Sequence, residues 1–161
     1  MLGAIIGDIV GSRWEFNPTN DYNFEWLSDQ NGFTDDTICT VAVADALLNG
    51  RDFGESIHDW CNRYPHPMGG YGGRFAQWVR SDNPIPYNSF GNGSAMRVSP
   101  VAHWFDTLDE VLDAAAATLG AIVGSISEAI WGIPKEIEQA IISFLTEEMK
   151  EVVEEFYKRI S

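Results

Sequence analysis

Apolar positions recur at helical spacing along almost the whole chain. Leu2, Ile5, Ile6 and Ile9 make a first stripe, with Gly3, Gly7 and Gly11 as a second stripe of small residues suited to close helix packing. From Thr37 to Leu48 the pattern is apolar on nearly every side, which predicts a central, buried helix stopped by Asn49-Gly50. Ile57, Trp60, Cys61 and Tyr64 predict an amphipathic helix ending before Pro65, and Phe75, Trp78 and Val79 form one short helical face. Leu112, Ala116, Leu119, Val123, Ile126 and Ile130 continue the spacing after Asp106-Thr107-Leu108-Asp109, which resembles a capping box. Ile137, Ile141, Ile142 and Leu145 follow Pro134, placed at a first helical turn. Met149, Val152, Val153, Phe156 and Ile160 stripe the last helix, with Glu147 and Glu148 at its start and Lys158 and Arg159 at its end, complementing the dipole. No segment alternates as a strand does. The pattern predicts an all-α, compact multi-helix fold, a single domain over residues 1–161.

Composition refines this picture at a few points. The 45% hydrophobic and 12% aromatic content of the 161 residues excludes a disordered chain. A net charge of −14 argues against nucleic acid and an anionic membrane as partners, but leaves room for a small anionic ligand held locally or through a metal. Cys39 and Cys61 lie in helical patterns without metal-like spacing and read as reduced core thiols of a cytoplasmic protein. There is no basic n-region for a signal peptide, and the longest apolar run, Ala114 to Val123, is too short to span a bilayer.

The candidate chemistry centres on Phe33-Thr34-Asp35-Asp36-Thr37. Two carboxylates between two hydroxyls at a loop-to-helix junction suit a hard cation such as Mg²⁺ or Mn²⁺. The same residues also read as a plain N-terminus, with Thr34 as the cap and both acids opposing the dipole. Asp8 interrupts an apolar helix and is either a site residue or, as the plain reading, exposed or the cap of a neighbouring element. Glu15, between Trp14 and Phe16, is either a carboxyl of raised pKa suited to acid–base chemistry or the partner of Arg13 or another cation. The loop from Asn17 to Gly32 is long enough to suggest a functional role. Met68 to Arg74 is a glycine-rich turn, either presenting amides and Arg74 to a phosphate or serving as a connector. Gly91, Asn92, Gly93 and Ser94 open a short helix and suit a phosphate or ribose, or simple turn and cap chemistry. His58, His66 and His103 have no metal-ligand spacing.

Four stretches in order carry a resemblance: Gly3 to Glu15, Phe33 to Thr37, Ser89-Phe90-Gly91-Asn92-Gly93-Ser94-Ala95-Met96-Arg97, and Gly120 to Ile126. Together they resemble the ADP-ribosylglycohydrolases, the DraG-like group that includes crystallin J1. The resemblance implies an all-α domain with a binuclear Mg²⁺ or Mn²⁺ site. It also implies hydrolysis of the N- or O-glycosidic bond of ADP-ribosylated proteins or small molecules. It assigns Thr34, Asp35 and Asp36 to the metal, Glu15, Asp35 and Asp36 to catalysis, and Gly91, Asn92, Gly93 and Ser94 to ADP-ribose.

The departure from the family is equally specific. Its members are longer and carry a second acidic motif, Asp-x-Asp-Thr. Here Thr118 matches the Thr, but Ala115, Ala116 and Ala117 precede it. The chain therefore resembles a family member shortened by an internal deletion, lacking part of the family's helices and about half of the metal ligands. This implies weak metal binding completed by water. It also implies bared apolar faces that a homodimer or higher oligomer would bury. The alternative to a hydrolase is a catalytically inactive member acting as an ADP-ribose-binding, metal-binding or structural oligomeric protein.

Overall fold

The computed structural model describes residues 1–21, 23–87, 93–106 and 135–160. The expected helix over Leu112 to Ile130, with Pro134 and most of its capping box, lies outside the described residues. The described part is helical, and its β-type contact is an isolated parallel bridge between Thr34 and Met68.

Helix α1 (Leu2–Gly11) buries Leu2, Ile5 and Ile9 and runs into a 3-10 turn over Ser12–Trp14. After the long loop comes α2 (Asp35–Asn49), followed by α3 (Phe53–Arg63), α4 (Gly73–Val79), α5 (Gly93–Met96) and α6 (Ser99–Trp104). The C-terminal pair is α7 (Lys135–Ile142) and α8 (Glu147–Ile160). Helix α6 has no counterpart in the sequence pattern, because its six residues are too few to display a period.

The expected central helix is α2. Residues Thr37 to Ala44 are all buried, and α1, α3, α5, α6 and α8 contact it. Its alanines matter as much as its larger side chains: Ala42, Ala44 and Ala46 let neighbouring backbones come close. Gly50 ends it in the left-handed region at φ 61°, a conformation that suits glycine. The Cys39 and Cys61 sulfurs lie 3.8 Å apart across the α2–α3 interface as free thiols. From the other side, α8 supplies Met149, Val153 and Phe156 to the core. The Leu2 amide donates to the Tyr157 hydroxyl at 3.1 Å, tying α8 to α1.

The glycine stripe behaves differently from its expectation. Gly7 and Gly11 are exposed, and a Cβ at either would meet nothing within 4 Å. The aliphatic stripe does the packing, and at Gly7 and Gly11 the small-residue face of α1 stays uncovered among the described residues, while Gly3 is half-buried.

A second polar tie joins α2 to α3. The half-buried carboxylate of Asp45 accepts from the indole nitrogen of buried Trp60 at 2.9 Å and from Arg51 at 3.0 Å. Next to it, the Ser56 hydroxyl donates to the Ala42 carbonyl at 2.7 Å. Because Trp60 is 1% exposed, its N–H has no water to turn to. Asp45→Ala is therefore expected to lower unfolding free energy by about 1–3 kcal/mol, read from the urea midpoint, by orphaning that donor.

Candidate functional site

Thr34 is the N-cap of α2, and its hydroxyl accepts from the Asp36 amide at 3.3 Å. Asp8, reaching over from α1, completes the cap. One carboxylate oxygen accepts from the amides of Thr34 (2.9 Å) and Thr37 (3.2 Å) and from the Thr37 hydroxyl (2.5 Å). The other accepts from the Thr34 hydroxyl at 2.5 Å. Asp8 thus takes the capping role, satisfying amides that the first turn of a helix leaves unpaired. Asp35 and Asp36 are left projecting from that turn, half-buried, and neither carboxylate hydrogen-bonds to another described side chain.

The bridge from Thr34 to Met68 brings the glycine-rich turn beside this cap. Gly69 lies directly against the Glu15 carboxylate, so the turn is part of the site's frame rather than a remote connector. Arg13 does not pair with Glu15: its guanidinium donates to the Ser28 hydroxyl and the Glu25 carbonyl and lies over the Trp14 ring. Phe16 is 79% exposed. The carboxylate lies against Gly69, and Phe16 lines the same cleft.

A cleft of about 1380 Å³ opens here. Glu15, Asp35 and Arg97 line it together with Phe53, Tyr71, Phe75, Trp78 and Tyr87. Acidic groups and flat aromatic faces thus share one concave wall, a form suited to a ligand with ring and polar parts. Arg97 is held from α5 by donating its Nε to the Gly93 carbonyl, and its guanidinium sits 4.9 Å over the Phe75 ring. Of the expected ligand-binding residues, Gly93 lines the cleft as the first residue of α5. Gly91, Asn92 and the Ser94 side chain lie outside the described residues.

The electrostatics follow from crowding acids where water is partly excluded. Burial pushes Asp36 up to about 7, reinforced by the charges of Asp35, Asp8 and Glu15 and opposed by Arg97. Asp35 is raised for the same reasons, burial first and then Asp8, with Arg97 again opposing. Glu15 is raised by burial and by Asp8. The site is thus short of positive charge, and its donors are all oxygen. That chemistry fits a hard divalent cation. Yet among the described residues no three His, Cys, Asp or Glu side chains converge to hold one. The fit is to a half-shell of Thr34, Asp35 and Asp36 that water would complete.

Several participants carried little signal in the sequence. Arg97 stood inside a quoted motif without a role, although a lone cation in a glycine-rich stretch of so acidic a chain was a usable clue. Gly69 and the aromatic wall from α3, α4 and the following loop become visible only when the chain is folded.

Fold and site define an all-α protein with paired carboxylates at a helix N-terminus beside a partly aromatic cleft. The chain belongs to the ADP-ribosylglycohydrolase family, whose sequence profile matches residues 1–122. It is 24% identical to ADP-ribosylhydrolase ARH3 of Xenopus tropicalis, a match covering 94% of this chain and 55% of that protein. The chain therefore spans about half the length of the curated relative it matches. The aligned stretch of 194 residues exceeds the 161 residues of the chain itself, so the match is interrupted by residues that this chain lacks. No solved structure matches it.

The raised carboxyls set a pH dependence. An unfolded Asp ionises near 3.8, whereas folded Asp36 keeps its proton to about 7. Between those values the folded state binds more protons, so stability falls as pH rises through that window and levels off above it. Asp35 and Glu15, raised as well, add in the same direction. Asp36→Asn is expected to flatten this slope and to stabilise the metal-free protein at neutral pH but not near pH 4, measured by urea unfolding in the presence of a chelator.

Proposed function

We propose that this chain is a shortened ADP-ribosylglycohydrolase-type hydrolase. In this reading it takes an ADP-ribosylated protein or small molecule in the cleft and cleaves the N- or O-glycosidic bond with the help of Mg²⁺ or Mn²⁺. The observation that carries the reading is that Glu15 and Asp35, both raised in pKa, line one cleft of about 1380 Å³, with Asp36, raised by burial and its neighbours' charges, beside Asp35. Thr34, Asp35 and Asp36 would hold the ion. When bound, it would supply Lewis-acid polarisation and a water of lowered pKa.

The chain's own residues account for the remaining steps. Asp8 holds the α2 cap rigid and so fixes the direction of both aspartates. A carboxyl raised like that of Glu15 is suited to taking a proton from an attacking water and returning it to the leaving group. Arg97, backed by Phe75, is the cation placed to meet a phosphate oxygen. The aromatic faces of Phe75 and Trp78, stacked with centroids 5.6 Å apart, offer a flat surface beside it.

A second reading keeps the binding and drops the turnover. It is favoured by the incomplete donor set among the described residues and by Ala115, Ala116 and Ala117 standing, by the resemblance, where the family carries its second acidic pair. In that case the chain would bind ADP-ribose or metal, or assemble with copies of itself. Phe16, Trp26 and Ile85, exposed by 79%, 56% and 64%, are apolar surface that such a homodimer would cover.

Titration calorimetry with Mn²⁺, with and without ADP-ribose, tests both readings. Heat is expected for the ion, with binding weakened at least about tenfold in Asp35→Ala and in Asp36→Ala. Release of ADP-ribose from modified arginine or serine peptides, lost in the same variants, marks the hydrolase. Binding without release marks the second reading, and heat from neither ligand refutes the hydrolase and the ligand-binding form of the second reading, leaving self-assembly alone.

A further inference from the structure

Glu15 is largely exposed and makes no contact with Arg13, yet its carboxylate occupies a defined place. What defines that place is a missing atom. A Cβ built on Gly69 would stand 2.1 Å from one Glu15 carboxylate oxygen, 2.9 Å from its carbon and 3.1 Å from the other oxygen. The first two are shorter than real Cβ contacts, and the third is tight. The carboxylate therefore rests against a bare Cα, in space that glycine alone leaves open. We propose that Gly69 is a positioning residue for Glu15, its missing side chain forming the seat that holds this acid toward Asp35. The proposal rests on Glu15 being the working acid of the hydrolase reading.

The seat is referenced to the aspartates through the backbone. Met68, immediately before Gly69, bridges Thr34, which itself precedes Asp35. The Gly70 amide donates to the Pro67 carbonyl at 3.1 Å and closes the turn. One short run of chain thus sets the position of Glu15 relative to the first turn of α2. Because the colliding group is the end of a flexible side chain, a methyl at Gly69 would not break the fold. Glu15 would rotate away, and the acid would be misplaced.

The neighbouring glycine provides the internal control. Gly69 and Gly70 both have a positive φ, 78° and 76°, so alanine is strained at both. At Gly70, however, an added Cβ meets nothing within 4 Å. Gly70→Ala measures strain alone, and Gly69→Ala measures strain plus loss of the seat.

The test uses the full 161-residue protein. By NMR, a cross-relaxation contact between the Glu15 side-chain protons and the residue-69 α-proton is expected in the parent. It should persist in Gly70→Ala and disappear in Gly69→Ala. In ADP-ribose release, Gly69→Ala is expected to lower kcat at least about tenfold beyond Gly70→Ala, with KM within about twofold. On a Glu15→Ala background, Gly69→Ala should cost no more than Gly70→Ala, and Gly69→Ala with Glu15→Asp should recover part of the rate. Equal losses in the two glycine variants, an undiminished extra loss without Glu15, or no contact in the parent would overturn the proposal. A parent that shows the contact but releases no ADP-ribose refutes the hydrolase reading instead, while the contact and its selective loss still support the seat.

Discussion

The capping of α2 by Asp8 is the interaction on which the rest of this structure depends. A single carboxylate gathers two amides and two hydroxyls from Thr34 and Thr37. Charge-assisted bonds of this kind are about twice as strong as neutral ones. They join the first helix of the chain to the central one at the only end of α2 where amide donors are free. With Asp8 consumed in this way, the acids next to Thr34 have no structural duty at the cap. Asp35 is free to line the cleft, with Asp36 beside it in the same turn.

That arrangement concentrates negative charge where burial makes it costly. Asp36 responds by holding its proton to about pH 7, and Asp35 and Glu15 shift in the same direction. Arg97 is the opposing charge that moderates both aspartates. Opposing the dipole of α2 favours acids at this end, but crowding several of them where water is partly excluded costs more than apolar residues would. Strain of this kind is characteristic of functional sites, and it is relieved by whatever positive charge enters. The rigid, nearly all-buried α2 behind the two aspartates keeps them from relaxing by moving apart.

Much of the frame was legible from residue spacing. The 3.6-residue period marks α1, α2, α3 and the C-terminal pair, because each buries one face, or all of itself, over several turns. Thr34, Asp35 and Asp36 were visible as a motif since cap and acids are contiguous. The roles of Asp8 and Gly69 were not, for different reasons. Asp8 acts 26 residues away from Thr34, and spacing carries no sign of which helix end it meets. Gly69 matters for an atom that it lacks, and the neighbouring glycines Gly70, Gly72 and Gly73 look the same in sequence. The Gly3, Gly7 and Gly11 stripe misleads in the opposite sense: small residues permit close approach, but only a partner element can make it.

The order of apolar and polar residues, by itself, determined that this chain is helical, which helix is central, and that two carboxylates open it. Local physics suffices there, because period, cap and helix dipole act within a few residues. Tertiary structure alone decided that Asp8 caps that helix, that Glu15 rests on Gly69, and that Arg97 faces the acids across an aromatic-walled cleft. Each of these joins segments far apart in the chain, where side-chain length and the packing of whole helices set the distances. The opening pair, Asp35 and Asp36, is therefore both the most readable feature of the sequence and the one whose chemistry is set elsewhere in the fold.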